Sequence, residues 1–180
     1  MSEAFRSLRP SDIVPNLDEI SQSIKAVQRA YEIGDADSIN EVHLPEPWIP
    51  LGLGGDRFKL IAAEPNLRIV IKRYVYEKFA DIVFRDYILM VPFIDENKAP
   101  FVMPIGQLGD ALVFPYLDVD ENVPSEWDTQ ISDLLRIHAE KMGVSLPVSR
   151  KFSKYKLADG TYKLGDIFDD SSNALLIVSK

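Results

Sequence analysis

Three glycines within four residues are the first groups in the chain suited to binding a ligand. They are Gly52, Gly54 and Gly55, in the stretch LGLGGDRFKL. Because glycine has no Cβ, such a loop lets backbone N–H groups come close to a phosphate. Lys72 follows in the run RIVIK, and its ammonium group can pair with phosphate oxygens. By itself the glycine stretch is more typical of a hairpin turn, since it is neither a Walker A loop nor a complete G-x-G-x-x-G and no helix follows it.

Strands are expected on both sides of these residues. FKLIA and RIVIKRY are β-branched or alternating runs joined by a turn at EPN, and the glycine stretch precedes the first of them. Two more short strands are predicted at 101–106 and 111–116, and ADGTYKLGD predicts a β-hairpin. The resulting order is helix, β-β-β-α-β-β, helix, hairpin. This order predicts an α+β fold with an antiparallel sheet.

Three helices are predicted from hydrophobic residues at helical spacing. The buried face of the first is expected to consist of Ile20, Ile24, Val27 and Tyr31. The second follows the third strand and is predicted to end at Pro92, because proline disfavours helix before it. The third ends at Gly143, and its buried face is expected to consist of Ile131, Leu134, Leu135, His138 and Met142. His138 is therefore interpreted as a packed or partly exposed helix residue rather than a catalytic one.

Composition excludes several classes of function. The 180 residues are 46% apolar and predict one domain, with or without an N-terminal extension. A formal net charge of −8 gives no electrostatic reason to bind nucleic acid or an anionic membrane. With no cysteine and two histidines, a disulfide, a thiolate nucleophile and a histidine-rich metal site are excluded, while a carboxylate magnesium site is not. No apolar run approaches the roughly 18 residues of a membrane span, and no signal peptide is present, so a soluble cytoplasmic protein is expected.

In order and spacing, the motifs resemble those of protein kinases over about residues 45–168. The glycine stretch followed by VIK resembles the kinase glycine-rich loop and V-A-I-K strand, whose lysine pairs with the phosphates of ATP. DGTYKLGD resembles the run that leads into D-F-G, and it places Asp166 at the metal-binding aspartate. The resemblance implies that Lys72 and the three glycines bind nucleotide. It also implies that Asp86 pairs with Lys72 and that Asp166 binds Mg²⁺.

The same register shows departures from the kinase pattern. Leu146, Pro147 and Val148 stand in place of H-R-D, and valine cannot accept a proton as the aspartate base does. Ser153 stands in place of the second metal-binding asparagine, although Arg150 keeps a basic group where kinases have a lysine. Fourteen residues follow Asp166, which leaves no room for an activation segment or a full C-lobe.

The resemblance implies a kinase-like N-lobe, an antiparallel sheet plus one helix, at 45–117. A strongly reduced C-lobe at 118–180 and a helical extension at 1–44 complete the expected organisation.

The first functional interpretation is a pseudokinase-like regulator or inhibitor that binds a protein partner, with or without ATP and Mg²⁺. A second is an atypical minimal kinase that uses Asp166 as metal ligand and Asp169 or Asp170 as a substitute base. A third is an acidic phage- or effector-like binding protein without nucleotide.

Overall fold

The computed structural model describes residues 17–31, 37–53, 58–97, 101–119, 126–143, 153–156 and 162–165. In chain order the elements are α1 (Leu17–Ala30), a 3₁₀ turn (Ile39–Glu41), β1 (Ile49–Leu53), β2 (Phe58–Glu64), β3 (Ile69–Tyr74), α2 (Glu77–Asn97), β4 (Gly106–Leu108), β5 (Ala111–Pro115), β6 (Asp118–Val119), α3 (Glu126–Lys141), β7 (Ser153–Lys156) and β8 (Tyr162–Gly165). The predicted α+β class is confirmed. No helix in the described ranges is both long enough and apolar enough to cross a membrane.

The first five strands form one antiparallel sheet in the order β1-β2-β3-β5-β4. β1, β2 and β3 are consecutive neighbours, and the β2–β3 connection is the predicted turn, at residues 65–68. β3 lies at the centre, between β2 and β5, and its β-branched residues suit a strand that is covered on both faces. The strand that carries Lys72 is therefore the most enclosed strand of the sheet.

Helix α1 covers one face of this sheet. Its predicted apolar face is confirmed, because Ile20, Ile24, Val27 and Tyr31 are 0 to 6% exposed. These side chains belong to one apolar cluster with sheet residues Leu60, Ala62, Ile69, Ile71, Ala111 and Val113. Burial of apolar surface is the main favourable contribution to folding, so α1 contributes directly to the core of the sheet.

The beginning of α2 packs on the opposite face. Apolar side chains of α2 and of the sheet form a second cluster there. The helix residues are Phe79, Ala80, Val83 and Phe84, and the sheet residues are Tyr74, Leu112 and Phe114. Because side chains alternate between the two faces along a strand, neighbouring residues of β3 and β5 pack against different helices.

The prediction that α2 ends at Pro92 is wrong, since the helix continues to Asn97 with Pro92 inside it. Proline removes one helical hydrogen bond and its ring crowds the carbonyl one turn earlier. Pro92 is exposed, so these defects fall on the solvent side, where water can bind the freed carbonyl. Buried residues on the other side, among them Met90 and Phe93, hold the helix through the proline.

The strand predicted at 101–106 is also displaced, because β4 covers Gly106–Leu108 instead. Phe101 makes only an isolated bridge, a parallel one, to Leu164. Pro104 has no N–H to donate to a ladder, which limits extension of the strand in this direction.

The chain divides into two compact units, of which the first contains residues 1–85 and 104–116 and the second residues 86–103 and 117–180. In the second unit, β6, β7 and β8 form an antiparallel sheet, and the predicted terminal hairpin is confirmed by the β7–β8 pairing. The Asp159-Gly160 turn predicted between them lies outside the described residues.

Helix α3 has its predicted length but a rotated buried face. Ser132, Leu135 and Ala139 are buried, whereas Leu134, expected inside, is 51% exposed. Leu134 is turned about 100° from Leu135 on a helix of 3.6 residues per turn, so both cannot lie at the centre of a narrow face. His138 is half-buried and packs on the Phe93 ring at 5.2 Å between centroids, in agreement with its predicted packing role.

Candidate functional site

Lys72 lies on β3, opposite Ile61 of β2 and Leu112 of β5. Strand alternation places its side chain on the same face as Tyr74, which is the face that the beginning of α2 covers. The side chain is half-buried. Lys72 is thus neither a core residue nor a fully solvated lysine at the end of a strand.

The pairing registers place Lys72 in a row of five residues that crosses the whole sheet. Gly52 is opposite Ile61, Ile61 is opposite Lys72, and on the far side Leu112 is opposite Gln107. Since adjacent strands are about 4.8 Å apart, the Cα atoms of Gly52 and Lys72 are separated by roughly 10 Å. Four members of the row are half-buried, and Leu112 is buried. The sheet is therefore partly open on this face between Gly52 and Lys72.

Nothing around Gly52 requires a glycine for steric reasons. A Cβ built at this position would lie 3.9 Å from Ile61 Cδ1, an ordinary van der Waals contact. The absence of a side chain at Gly52 nevertheless leaves the backbone of β1 accessible next to Ile61. Gly54 and Gly55 lie outside the described residues, so their predicted role in binding stays a prediction.

The two predicted acidic residues have different outcomes. Asp86 lies in α2 and is 1% exposed, a position in which a carboxylate requires polar partners. Its proposed pairing with Lys72 stays a prediction. Asp166 lies outside the described residues, as do Val148 and Arg150. Among the residues that the structure describes, no three His, Asp or Glu side chains are grouped closely enough to hold a metal ion.

A buried polar network on the α1 face was not predicted. Arg73 is 2% exposed, and its Nε and Nη2 donate to Asp110 Oδ1 and Oδ2 at 3.2 and 2.7 Å. Its Nη1 donates to the backbone carbonyl of Tyr31, at the end of α1. Gln28 of α1 also donates to Asp110 Oδ1, at 2.8 Å. The bidentate arrangement is the strong form of the arginine–carboxylate pair.

One signal for this network is present in the sequence. Arg73 follows Ile69 and Ile71 at a spacing of two, so alternation places a cation on the buried face of β3. A buried cation requires an anionic partner. The alternation does not identify which of the 28 acidic residues supplies it, because the partner lies 37 residues away.

The half-open face combines a lysine, a half-buried glycine and apolar side chains, which suits an anionic ligand that also has an apolar part. No protein-family model matches the chain, and no curated protein is significantly similar to it.

Proposed function

We propose that the chain is a kinase-like protein that binds a nucleotide at Lys72 and acts by contact with a protein partner rather than by phosphoryl transfer. The observation that carries the proposal is the position of Lys72. It lies on the third strand, and its side chain is on the face that the following helix covers. Protein kinases likewise carry the lysine that contacts the phosphates on their third strand, and an acidic residue of the next helix pairs with it.

The described residues fit a ligand with phosphates. Lys72 is half-buried, so its attraction to a phosphate is screened less than that of a fully exposed lysine. Gly52 allows a close backbone approach. Ile61 and Val70 are half-buried on the same face and offer apolar contact to a nucleobase.

Asp86 is proposed to orient the Lys72 ammonium, and Asp166 is the residue proposed to hold Mg²⁺. When bound, Mg²⁺ would neutralise part of the phosphate charge. The case for binding without transfer comes from Val148, which occupies the position of the proton-accepting aspartate. The net charge of −8 favours a protein partner with a basic patch, through faster and more selective association.

Lys72→Ala tests the proposal in a thermal-shift assay with ATP, with and without Mg²⁺ or Mn²⁺. Ligand at 100 times its Kd stabilises the folded state by about 2.7 kcal/mol, so the wild-type protein is expected to shift upward and Lys72→Ala to lose the shift. Lys25→Ala is the matched control, because it removes the same charge from an exposed position on α1. A wild-type protein that shows no shift with either metal contradicts the proposal.

Transfer of label from γ-labelled ATP separates binding from catalysis. We expect no transfer beside clear binding. Transfer that is lost in Asp166→Ala would replace the proposal with an atypical minimal kinase.

A further inference from the structure

The segment 107–110, which contains the end of β4 and the turn to β5, is bonded to three other elements. From α1, Gln28 Nε2 donates to Asp110 Oδ1 at 2.8 Å and to the carbonyl of Leu108 at 3.3 Å. From β3, the backbone N–H of Tyr74 donates to the carbonyl of Asp110 at 2.8 Å. Gln107 Nε2 donates to Asp81 Oδ1 of α2 at 2.6 Å. This β4–β5 turn therefore links both helices to the central strand.

The shape of the β4–β5 turn depends on these bonds and on one glycine. Gly109 has φ of +57°, a conformation that side-chain-bearing residues rarely adopt. A Cβ at Gly109 would lie 3.4 Å from Gln28 Nε2, so the α1 side chain packs directly against the turn. Gln28 is therefore in van der Waals contact with the turn as well as hydrogen-bonded to it.

The turn is bonded to the residue that follows Lys72 on β3. Asp110 holds the guanidinium of Arg73, and Arg73 is the immediate neighbour of Lys72 on β3. The two side chains lie on opposite faces, but they share one stretch of backbone. Fixing Arg73 to the turn and to the Tyr31 carbonyl of α1 fixes the backbone from which Lys72 projects.

We infer that Asp110 is a positioning residue for Lys72, and that docking of α1 through Gln28 is a condition for a competent nucleotide site. This inference rests on the proposed function. Helix α1 then acts as a built-in activator on the face of the sheet opposite the ligand. A partner that displaces α1 lowers nucleotide affinity, and by linkage a bound nucleotide strengthens the docking of α1 by the same factor.

The test measures the Kd of a fluorescent ATP analogue for the full chain at a temperature where every variant is folded. Gln28→Met keeps the length of the side chain and removes both hydrogen bonds to the turn. Its Kd is expected to rise by roughly two- to thirtyfold, the range found for residues that couple sites through a network. Gln22→Met makes the same chemical change at an exposed position of α1 and is expected to leave the Kd unchanged.

Ser23→Ala controls for a merely structural role of α1. Ser23 Oγ accepts a hydrogen bond from Trp48 Nε1 at 2.7 Å, so this variant removes one contact of α1 that does not involve the β4–β5 turn, while both bonds from Gln28 to the turn remain. Its Kd is expected to stay near the wild-type value. By reciprocity, the bound analogue should protect α1 amides from hydrogen exchange in the wild-type protein and protect them less in Gln28→Met.

Each other outcome overturns the inference. An unchanged Kd in Gln28→Met shows that the turn does not act on Lys72. An equal rise in Ser23→Ala shows that any loosening of α1 has the same effect. A wild-type protein that does not bind the analogue overturns the proposed function together with this inference, and that failure is visible before any substitution is made.

Discussion

Lys72 and Arg73 are consecutive cations whose surroundings give them different roles. Strand alternation sends Lys72 to the half-open face and Arg73 to the buried face, where Asp110 neutralises it. An unpaired charge at the position of Arg73 would be strongly destabilising, whereas a lysine at position 72 keeps contact with water. Arg73 is therefore a structural cation, whereas Lys72 is the cation proposed to bind a ligand in addition to the interactions that it makes within the protein.

Gly52→Ala is expected to separate stability from binding. The new Cβ makes only an ordinary contact, and alanine restricts the unfolded chain, so the free energy of unfolding should stay within about 1 kcal/mol of the wild-type value. If a phosphate approaches β1 closely, the methyl group obstructs it, and the Kd for an ATP analogue should rise roughly tenfold, equivalent to about 1.4 kcal/mol. Thermal unfolding and a binding titration on the same preparation measure both quantities.

Gly106→Ala is the matched control for Gly52→Ala. A Cβ at Gly106 has no heavy atom within 4 Å, and Gly106 is opposite Val113, whose side chain is on the α1 face. Gly106→Ala is expected to leave the Kd for the ATP analogue unchanged and, like Gly52→Ala, to change the free energy of unfolding by no more than about 1 kcal/mol. Equal loss of binding in both variants, or unchanged binding in Gly52→Ala, would show that the ligand does not approach the backbone of β1.

The hydrogen bonds on the α1 face could not be predicted from sequence motifs. The glycine stretch and Lys72 are near one another in sequence, so their types and order predict a common site. Gln28 and Asp110 are 82 residues apart, and no sequence motif around either residue predicts their contact. Only the fold, which brings the β4–β5 turn under α1, makes their contact visible.

At the scale of elements, residue spacing and turn residues in the sequence correctly predicted features that depend on nearby residues. The i, i+4, i+7 spacing on α1 identified its buried face, and the turn between β2 and β3 was placed by its proline and asparagine. The rule that proline ends a helix failed for α2, because packing of buried residues on both sides of Pro92 outweighs a local cost. The prediction that Leu134 is buried was wrong, because Leu134 and Leu135 both fit the helical spacing of apolar residues and only Leu135 is buried.

Pro92→Ala is expected to stabilise α2. The substitution restores a backbone hydrogen bond and removes the ring clash at an exposed position, for a gain of about 1–3 kcal/mol that the greater freedom of the unfolded chain partly offsets. In a chain of this size, 1 kcal/mol corresponds to about 2–4 °C in Tm, so thermal unfolding by circular dichroism should show a rise of several degrees. Asp95→Ala, at another exposed position of α2, should change Tm little. A lower Tm in Pro92→Ala would mean that the proline shapes a bend that the packing requires.

At the scale of the molecule, the first compact unit holds the sheet, α1, the start of α2 and every described residue of the row that contains Lys72. The α+β class followed from the sequence because the order of elements limits how an antiparallel sheet is built. The kinase-like roles of Lys72, Gly52, Gly54, Gly55 and Asp166 all stay predictions, and the last three residues lie outside the described ranges. Among the described residues of this unit, Lys72 and Gly52 are the proposed contacts to the phosphates.

The net charge of the chain gives a prediction about salt. A protein with formal charge −8 repels the phosphates of free ATP, and this repulsion between exposed charges is screened as the Debye length falls to about 8 Å at 0.15 M salt. The contact with half-buried Lys72 is screened less. Raising salt from about 0.01 to 0.15 M should therefore tighten free ATP roughly threefold, as measured by competition against a fluorescent analogue. Adenosine has no phosphate and should show no change, and Mg²⁺-bound ATP, with less charge, should respond less than free ATP. Binding that weakens with salt would contradict this account and would show that local positive charge outweighs the field of the whole molecule.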